Sequence, residues 1–224
     1  MKKRHVNLTK IDRMSGLAFE NCIRLHLDSI TLYNSKSFPS AYFLSILALE
    51  EFGKVVMLED FLWHSRIDGR FNSIEDKELE KKIGPNFESA YLGNIYNHIF
   101  KQYRVIDWAD CRFKPKNVIT KQILNKRLQD LKNDSIYVGF KKTNNKFDIY
   151  GRLTNPLKVG EEKAKKQITY ISDCLLWLIL GAIKETHILE TNCFEKIINQ
   201  KLYNKLNKKW LPRSAKTKKL LEKL

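Results

Sequence analysis

Apolar residues recur at helical spacing from Arg13 to about Asn34, with Leu17, Ile23, Leu27 and Ile30 as an inward stripe, and predict a first long helix. The polar "SKSFPS" interrupts the pattern. Pro39 with Ser40 suits the start of a second helix running to about Ser65, because proline's missing N–H is harmless in a first turn. "RIDGRFNS" is turn-rich, and a short charged helical segment is predicted near Ser73 to Lys82, with a break at Gly84-Pro85. Phe87 to about Asp107 reads as another helix, carrying Ile95, Ile99 and Phe100, and "FKPKN" closes it. A helix is predicted over 119–132. The texture then turns to period two: "SIYVGF" and "FDIYGRL" predict a small β-hairpin over about 135–152 with its turn at Asn144-Asn145. From 159 to about 189 a long helix places Ile168, Ile171, Leu175, Leu178 and Ile179 inward, and one or two basic helices finish the chain. No internal repeat or glycine-rich linker divides it. The expectation is an all-α domain over 1–190 with a β-hairpin insertion, followed by a basic helical tail over 191–224.

Composition agrees with a folded core, since 43% of the 224 residues are hydrophobic. Cys22, Cys111, Cys174 and Cys193 are scattered without CxxC or Cys/His pairing, so they read as reduced thiols of a cytoplasmic protein, with neither metal nor cofactor implied. The basic N-terminus leads into no apolar stretch of the signal-peptide kind. The longest apolar run, 174–183, is about half a membrane crossing, so no membrane association is expected. What charge adds is a class of partner. The formal net charge is +16, and from Gln200 onward nine Lys/Arg stand against a single acid, Glu222. Such a field suits polyanions, RNA first, with Lys205, Lys208, Lys209, Arg213 and Lys216 as candidate phosphate contacts. A solvated face that keeps the chain soluble is the competing reading.

The second helix breaks its own pattern at "SILALEEFGK", residues 45–54. On a wheel Glu50, Glu51 and Lys54 fall in the same arc as Phe43, Leu47, Leu58 and Phe61. Lys54 stands four residues after Glu50 and three after Glu51, so both carboxylates can reach it. Unpaired charges there would cost several kcal/mol, roughly, so internal pairing or polar partners from a neighbouring helix or subunit are required. Two readings compete: a structural ion pair at a helix–helix or dimer interface, and a polar floor beneath a functional groove. Gly53 beside the charges permits close approach of another backbone under either.

The segment 18–58 resembles the first two helices of the AbiV proteins, bacterial abortive-infection factors of the HEPN superfamily. The most specific element is Leu49-Glu50-Glu51-Phe52-Gly53-Lys54; "NHIFKQ" (97–102), "IYVGF" (136–140) and "NPLKVGEEKAKK" (155–166) are similar to later elements in the same order. The resemblance implies a HEPN-like helical bundle and a phage-defence effector that halts growth of the infected cell by acting on RNA or translation. It also implies a homodimer whose two protomers line one cleft. The resemblance also implies, for a HEPN ribonuclease, an arginine followed four to six residues later by a histidine. None of His5, His26, His64, His98 and His187 has an arginine five to seven positions before it.

A substitute set is read from spacing. His98 and Lys101 share a helix face, Gln102 follows, and Arg104 comes three residues after Lys101. Imidazole trades protons near neutral pH and cations stabilise charge building on a phosphate, so metal-independent attack by a ribose 2′-hydroxyl is the expected chemistry. His98, Lys101 and Glu51 are the candidate catalytic residues, with Glu50, Lys54, Gln102 and Arg104 in support. His64 with Arg66 and Arg70 is a weaker basic cluster, and Trp63, Trp108, Trp177 and Trp210 read as core. A phage-encoded activator or target is expected as trigger. The second functional reading is a non-catalytic dimer that binds RNA or a phage protein.

Overall fold

The computed structural model of the chain describes residues 8–67, 93–112, 118–140, 142–143, 146–147, 149, 153–184 and 189–221. The helical segment predicted near Ser73 to Lys82, the turn at Asn144-Asn145, and the side chains of His64, Arg66 and Arg70 lie outside the described residues. Two long helices, α1 (Leu8–Asn34) and α2 (Phe38–Ile67), form an antiparallel hairpin. A three-residue connection joins them, with Lys36 at φ 61° and Pro39 in the first turn of α2, where the sequence placed it. A 3-10 turn (Gly93–Tyr96) leads into α3 (His98–Arg112), followed by α4 (Val118–Leu124) and α5 (Arg127–Asp134). Four short strands come next: β1 (Gly139–Phe140), β2 (Lys142–Thr143), β3 (Lys146–Phe147) and β4 (Leu153–Thr154). After another 3-10 turn (Pro156–Lys158) the chain continues as α6 (Glu161–Ile183), α7 (Phe194–Ile197), α8 (Gln200–Lys209) and α9 (Ala215–Leu221). The protein is all-α with a small antiparallel insertion.

α2 is the central element. Apolar residues occur on every side of it, and a helix of that kind has to be surrounded. α1 covers one side, α6 another and α3 a third. Tyr42, Ile46, Leu49, Phe52, Val55, Met57, Leu58 and Phe61 are all buried. Ile168, Ile171, Leu175, Leu178 and Ile179 of α6 are buried as predicted. Among the described residues α6 is the one helix apolar and long enough to cross a membrane, and 72% of that stretch is packed inside the protein. Its hydrophobicity is therefore accounted for by the core.

Several expectations are corrected. Leu17 is 55% exposed, because the buried stripe of α1 runs through Gly16, Phe19, Ile23, His26 and Ile30. The single helix expected over 119–132 is two, α4 and α5, divided at Asn125 and Lys126, with Lys126 at φ 56°. Tyr103 holds the end of α4 by donating to the Leu124 carbonyl at 3.0 Å. The long helix ends at Ile183, short of 189. The hairpin is two nested strand pairs, Gly139 opposite Thr154 and Lys142 opposite Phe147, with the returning side carrying extra residues between them.

The basic C-terminal helices are anchored by their apolar residues. Leu206, Trp210 and Thr217 are buried, Trp210 Nε1 donates to Thr169 at 3.1 Å, and Trp177 Nε1 donates to Thr217 at 3.2 Å. The chain entering this region is fixed by acids of the hairpin. Glu59 accepts from the Glu190 amide at 2.7 Å, from Ser15 at 3.2 Å and from the Thr191 hydroxyl, while Asp12 accepts from the Asn192 amide at 2.6 Å. Burial pushes the Glu59 carboxyl upward, and these donors pull the other way.

His26 of α1 is fully buried, and neither ring nitrogen has a partner among the described residues. Burial first, and the Arg213 charge second, lower it to about 3. An unfolded histidine protonates near 6.5, so stability is intact above that pH and falls as pH drops toward 3, where the charged ring must be forced inside. Unfolding midpoints measured between pH 7 and 4 are expected to fall steeply for the wild type and to flatten for His26→Leu, with at most about 5 kcal/mol separating the limits. Parallel curves for the two proteins would show that His26 does not carry the acid sensitivity.

Candidate functional site

With α2 enclosed, Glu50 has no route to water and is 1% exposed. Its partners come from two other helices. Oε1 accepts from Gln102 Nε2 of α3 at 2.8 Å and from Lys132 Nζ of α5 at 2.9 Å. Oε2 lies 2.6 Å from His98 Nδ1 and 3.2 Å from the same Lys132 ammonium. An ionised carboxylate only accepts, so Nδ1 is the donor and holds its proton. One buried anion thus ties α2, α3 and α5 together.

Each side chain reaches Glu50 for a local reason. Asn97 caps α3 by accepting from the Phe100 amide at 3.1 Å, so the helix begins with His98, and Gln102 follows one turn later on the same face. The bend at Asn125 and Lys126 sends α5 inward. Leu128 and Lys132, one turn apart, are both buried, and Ser135 Oγ closes the end by donating to the Lys132 carbonyl at 2.5 Å. Gly53 sets the separation of α2 and α3: a Cβ there would stand 2.1 Å from the carbonyl oxygen of Lys101. The close backbone approach that Gly53 permits is made by the helix bearing His98.

Lys101 is 5% exposed, and among the described residues no acceptor lies within bonding distance of its ammonium. Burial lowers its pKa; Glu50 and Glu51 oppose the shift, and Lys54 and Lys132 add to it. Glu51 and Lys54 bond one another at 3.1 Å, whereas all the bonds described for Glu50 go to other helices. The sequence allowed Lys54 to serve both acids; packing gives it to Glu51 alone. Glu50, Lys132, Lys101 and the neutralised Glu51–Lys54 pair leave the cluster with a surplus positive charge. His98 is its outlet, with a side chain 49% exposed. Among the described residues nothing bonds Nε2, which carries a lone pair when the ring is neutral.

The other sequence candidates make no described bond to this group. Arg104 is engaged by Asp60 and by Asp107, the latter at 3.1 Å. Lys205, Lys208, Lys209 and Lys216 are exposed. Arg213 is instead part-buried and donates to the Asn207 side chain at 2.9 Å, the Asn207 carbonyl at 3.1 Å and the Pro212 carbonyl at 2.7 Å. Its guanidinium braces the C-terminal region. Sequence reasoning missed Lys132, although a lysine one turn from Leu128 on an apolar stripe is the same signal that singled out Glu50. Among the described residues no three His, Cys, Asp or Glu side chains gather as a metal site would need.

The family model HEPN_AbiV, described as AbiV, matches residues 10–177, which include every residue of the Glu50 group. No curated protein and no solved structure matches the chain.

Gly53→Ala should separate α3 from α2 and destabilise the fold by about 2 kcal/mol, an overpacking effect. Urea unfolding measures it, and His98 should become more mobile in the folded fraction. An unchanged midpoint would mean that α3 does not need this approach.

Proposed function

Because the chain belongs to the HEPN_AbiV family, one of abortive-infection defence, we propose that it is a cytoplasmic antiphage effector that cuts RNA without a metal when a phage component engages it. The observation that carries the reading is the half-exposed His98 whose Nδ1 is bound by buried Glu50. Nε2 then takes the proton from a ribose 2′-hydroxyl, and the freed oxygen attacks the adjacent phosphorus. The P–O5′ bond breaks, leaving a 2′,3′-cyclic phosphate and a 5′-hydroxyl. Lys101, a lysine with no bonded acceptor among the described residues, stabilises the charge building on the phosphate oxygens and, being made more acidic by burial, supplies the proton to the departing 5′-oxygen. In this reading Glu51, which bonds Lys54, holds that ammonium beside the phosphate. The exposed Lys205, Lys208, Lys209 and Lys216 contact the RNA backbone, and a second protomer completes the cleft.

A second reading is favoured by the missing arginine–histidine pair together with those exposed lysines: a non-catalytic dimer that acts by occupying RNA or a phage protein. Purified protein incubated with cellular RNA in EDTA, alone and with infected-cell extract, separates the two. The nuclease reading expects cyclic-phosphate ends from the wild type and a loss of at least about a hundredfold for His98→Ala, the scale of a lost general base. No cleavage in either condition, with His98→Ala protecting cells from phage as well as wild type does, would sink it. The tail is tested by replacing Lys205, Lys208, Lys209 and Lys216 with Gln, since deletion would strip buried Leu206 and Trp210 from the core. RNA affinity should fall, and its salt dependence should become shallower by about one unit of slope for each phosphate that is no longer neutralised.

A further inference from the structure

We propose that Lys132 is a positioning residue: by sharing the Glu50 carboxylate with His98, it keeps the imidazole neutral with its proton on Nδ1, so that Nε2 can accept one. This rests on the reading of His98 as the base, and Lys132 has no part in that reading.

Glu50 carries one negative charge and faces two groups able to neutralise it. Lys132 Nζ lies 2.9 and 3.2 Å from the two oxygens and 3.5 Å from His98 Nδ1 itself. Were the ammonium absent, the carboxylate would draw a second proton onto the ring, and an imidazolium cannot act as a base. With it present, the negative charge is met, and a cation beside Nδ1 opposes further protonation. Among the described residues, further charges acting on this cluster are Lys101 on α3 and the Glu51–Lys54 pair on α2. None of them touches Glu50 or His98 in the described bonds. Lys132 Nζ is bonded to both Glu50 oxygens, so its ammonium is committed to that carboxylate, whereas Lys101 has no described bond to hold it. Removing Lys132 alone leaves the buried Glu50 anion short of a partner and costs stability, so the state of the His98 ring, which a merely structural role would not set, is the readout.

The test has one arm that needs no RNA. Ring nitrogen spectra of His98 in the purified protein should show, for the wild type at neutral pH, a proton on Nδ1 and a bare Nε2. Lys132→Met should hold both protons up to higher pH, and Lys132→Arg should restore the wild-type pattern. In turnover, the acid limb of the pH–rate profile of Lys132→Met should move to higher pH, lowering kcat at pH 7 by about tenfold for each unit that it stands above 7 while KM stays the same. If Lys132→Met fails to fold, Lys132→Met/Glu50→Gln removes both charges together and should release the ring to the Nε2-protonated form that free histidine prefers. Wild-type ring spectra in the folded Lys132→Met protein, or in the double variant where that one alone folds, would overturn the proposal. So would a Lys132→Met defect confined to KM. Spectra that respond as expected while neither the wild type nor any variant cuts RNA, alone or with infected-cell extract, would uphold the role of Lys132 and refute the nuclease reading.

Discussion

A carboxylate at the buried middle of a helix cannot be solvated by water, and the rest of this structure is arranged around that constraint. Glu50 must be met by donors from inside the protein, and four bonds from three side chains meet it. Those donors sit on α3 and α5, so the packing of both helices against α2 is specified by charge as well as by shape. Apolar packing alone would let the helices slide or rotate at modest cost; a buried anion would then be stripped of its partners, at a penalty of roughly several kcal/mol. Gly53 completes the arrangement by letting the backbone of α3 come close enough for His98 and Gln102 to reach.

The same constraint shapes the chemistry of the surface. Because Glu50 is satisfied from within, His98 is held at one nitrogen by the interior and remains half open to solvent. Among the described residues more cations than anions gather around Glu50, Lys101 with no acceptor of its own. An anion arriving from solvent would therefore find a positive, poorly hydrated floor and an imidazole in a fixed orientation. These are properties a phosphodiester can use, and they arise without the arginine–histidine pair that HEPN ribonucleases generally carry.

Local physics made much of the fold legible. Pro39 and the polar stretch before it marked the turn between α1 and α2, and the period of α6 identified its buried residues. The alternation after residue 135 located the strand pairs. Where local signals were silent, the reading failed. Nothing in "QILNKRLQ" announces a break, because neither proline nor glycine is present and the apolar spacing continues; the helix divides because Lys126 adopts a left-handed conformation. Leu17 looked inward by spacing alone, yet the side of α1 it occupies is left open by the described residues. Arg213 looked like one more charge of the tail, but Asn207 folds back within reach of it.

At the site the division is sharper. The sequence by itself determined that Glu50 would be buried, that it would need donors, that Gly53 would admit another backbone, and that His98 would stand at helical spacing from Lys101 and Gln102. These follow from periodicity and from the cost of an unpaired charge, both local properties. Only the tertiary structure decided which donors arrive. His98 is 48 residues from Glu50 and Lys132 is 82. A pairing across such separations depends on where the chain turns and how three helices pack, and no residue's immediate neighbours encode it.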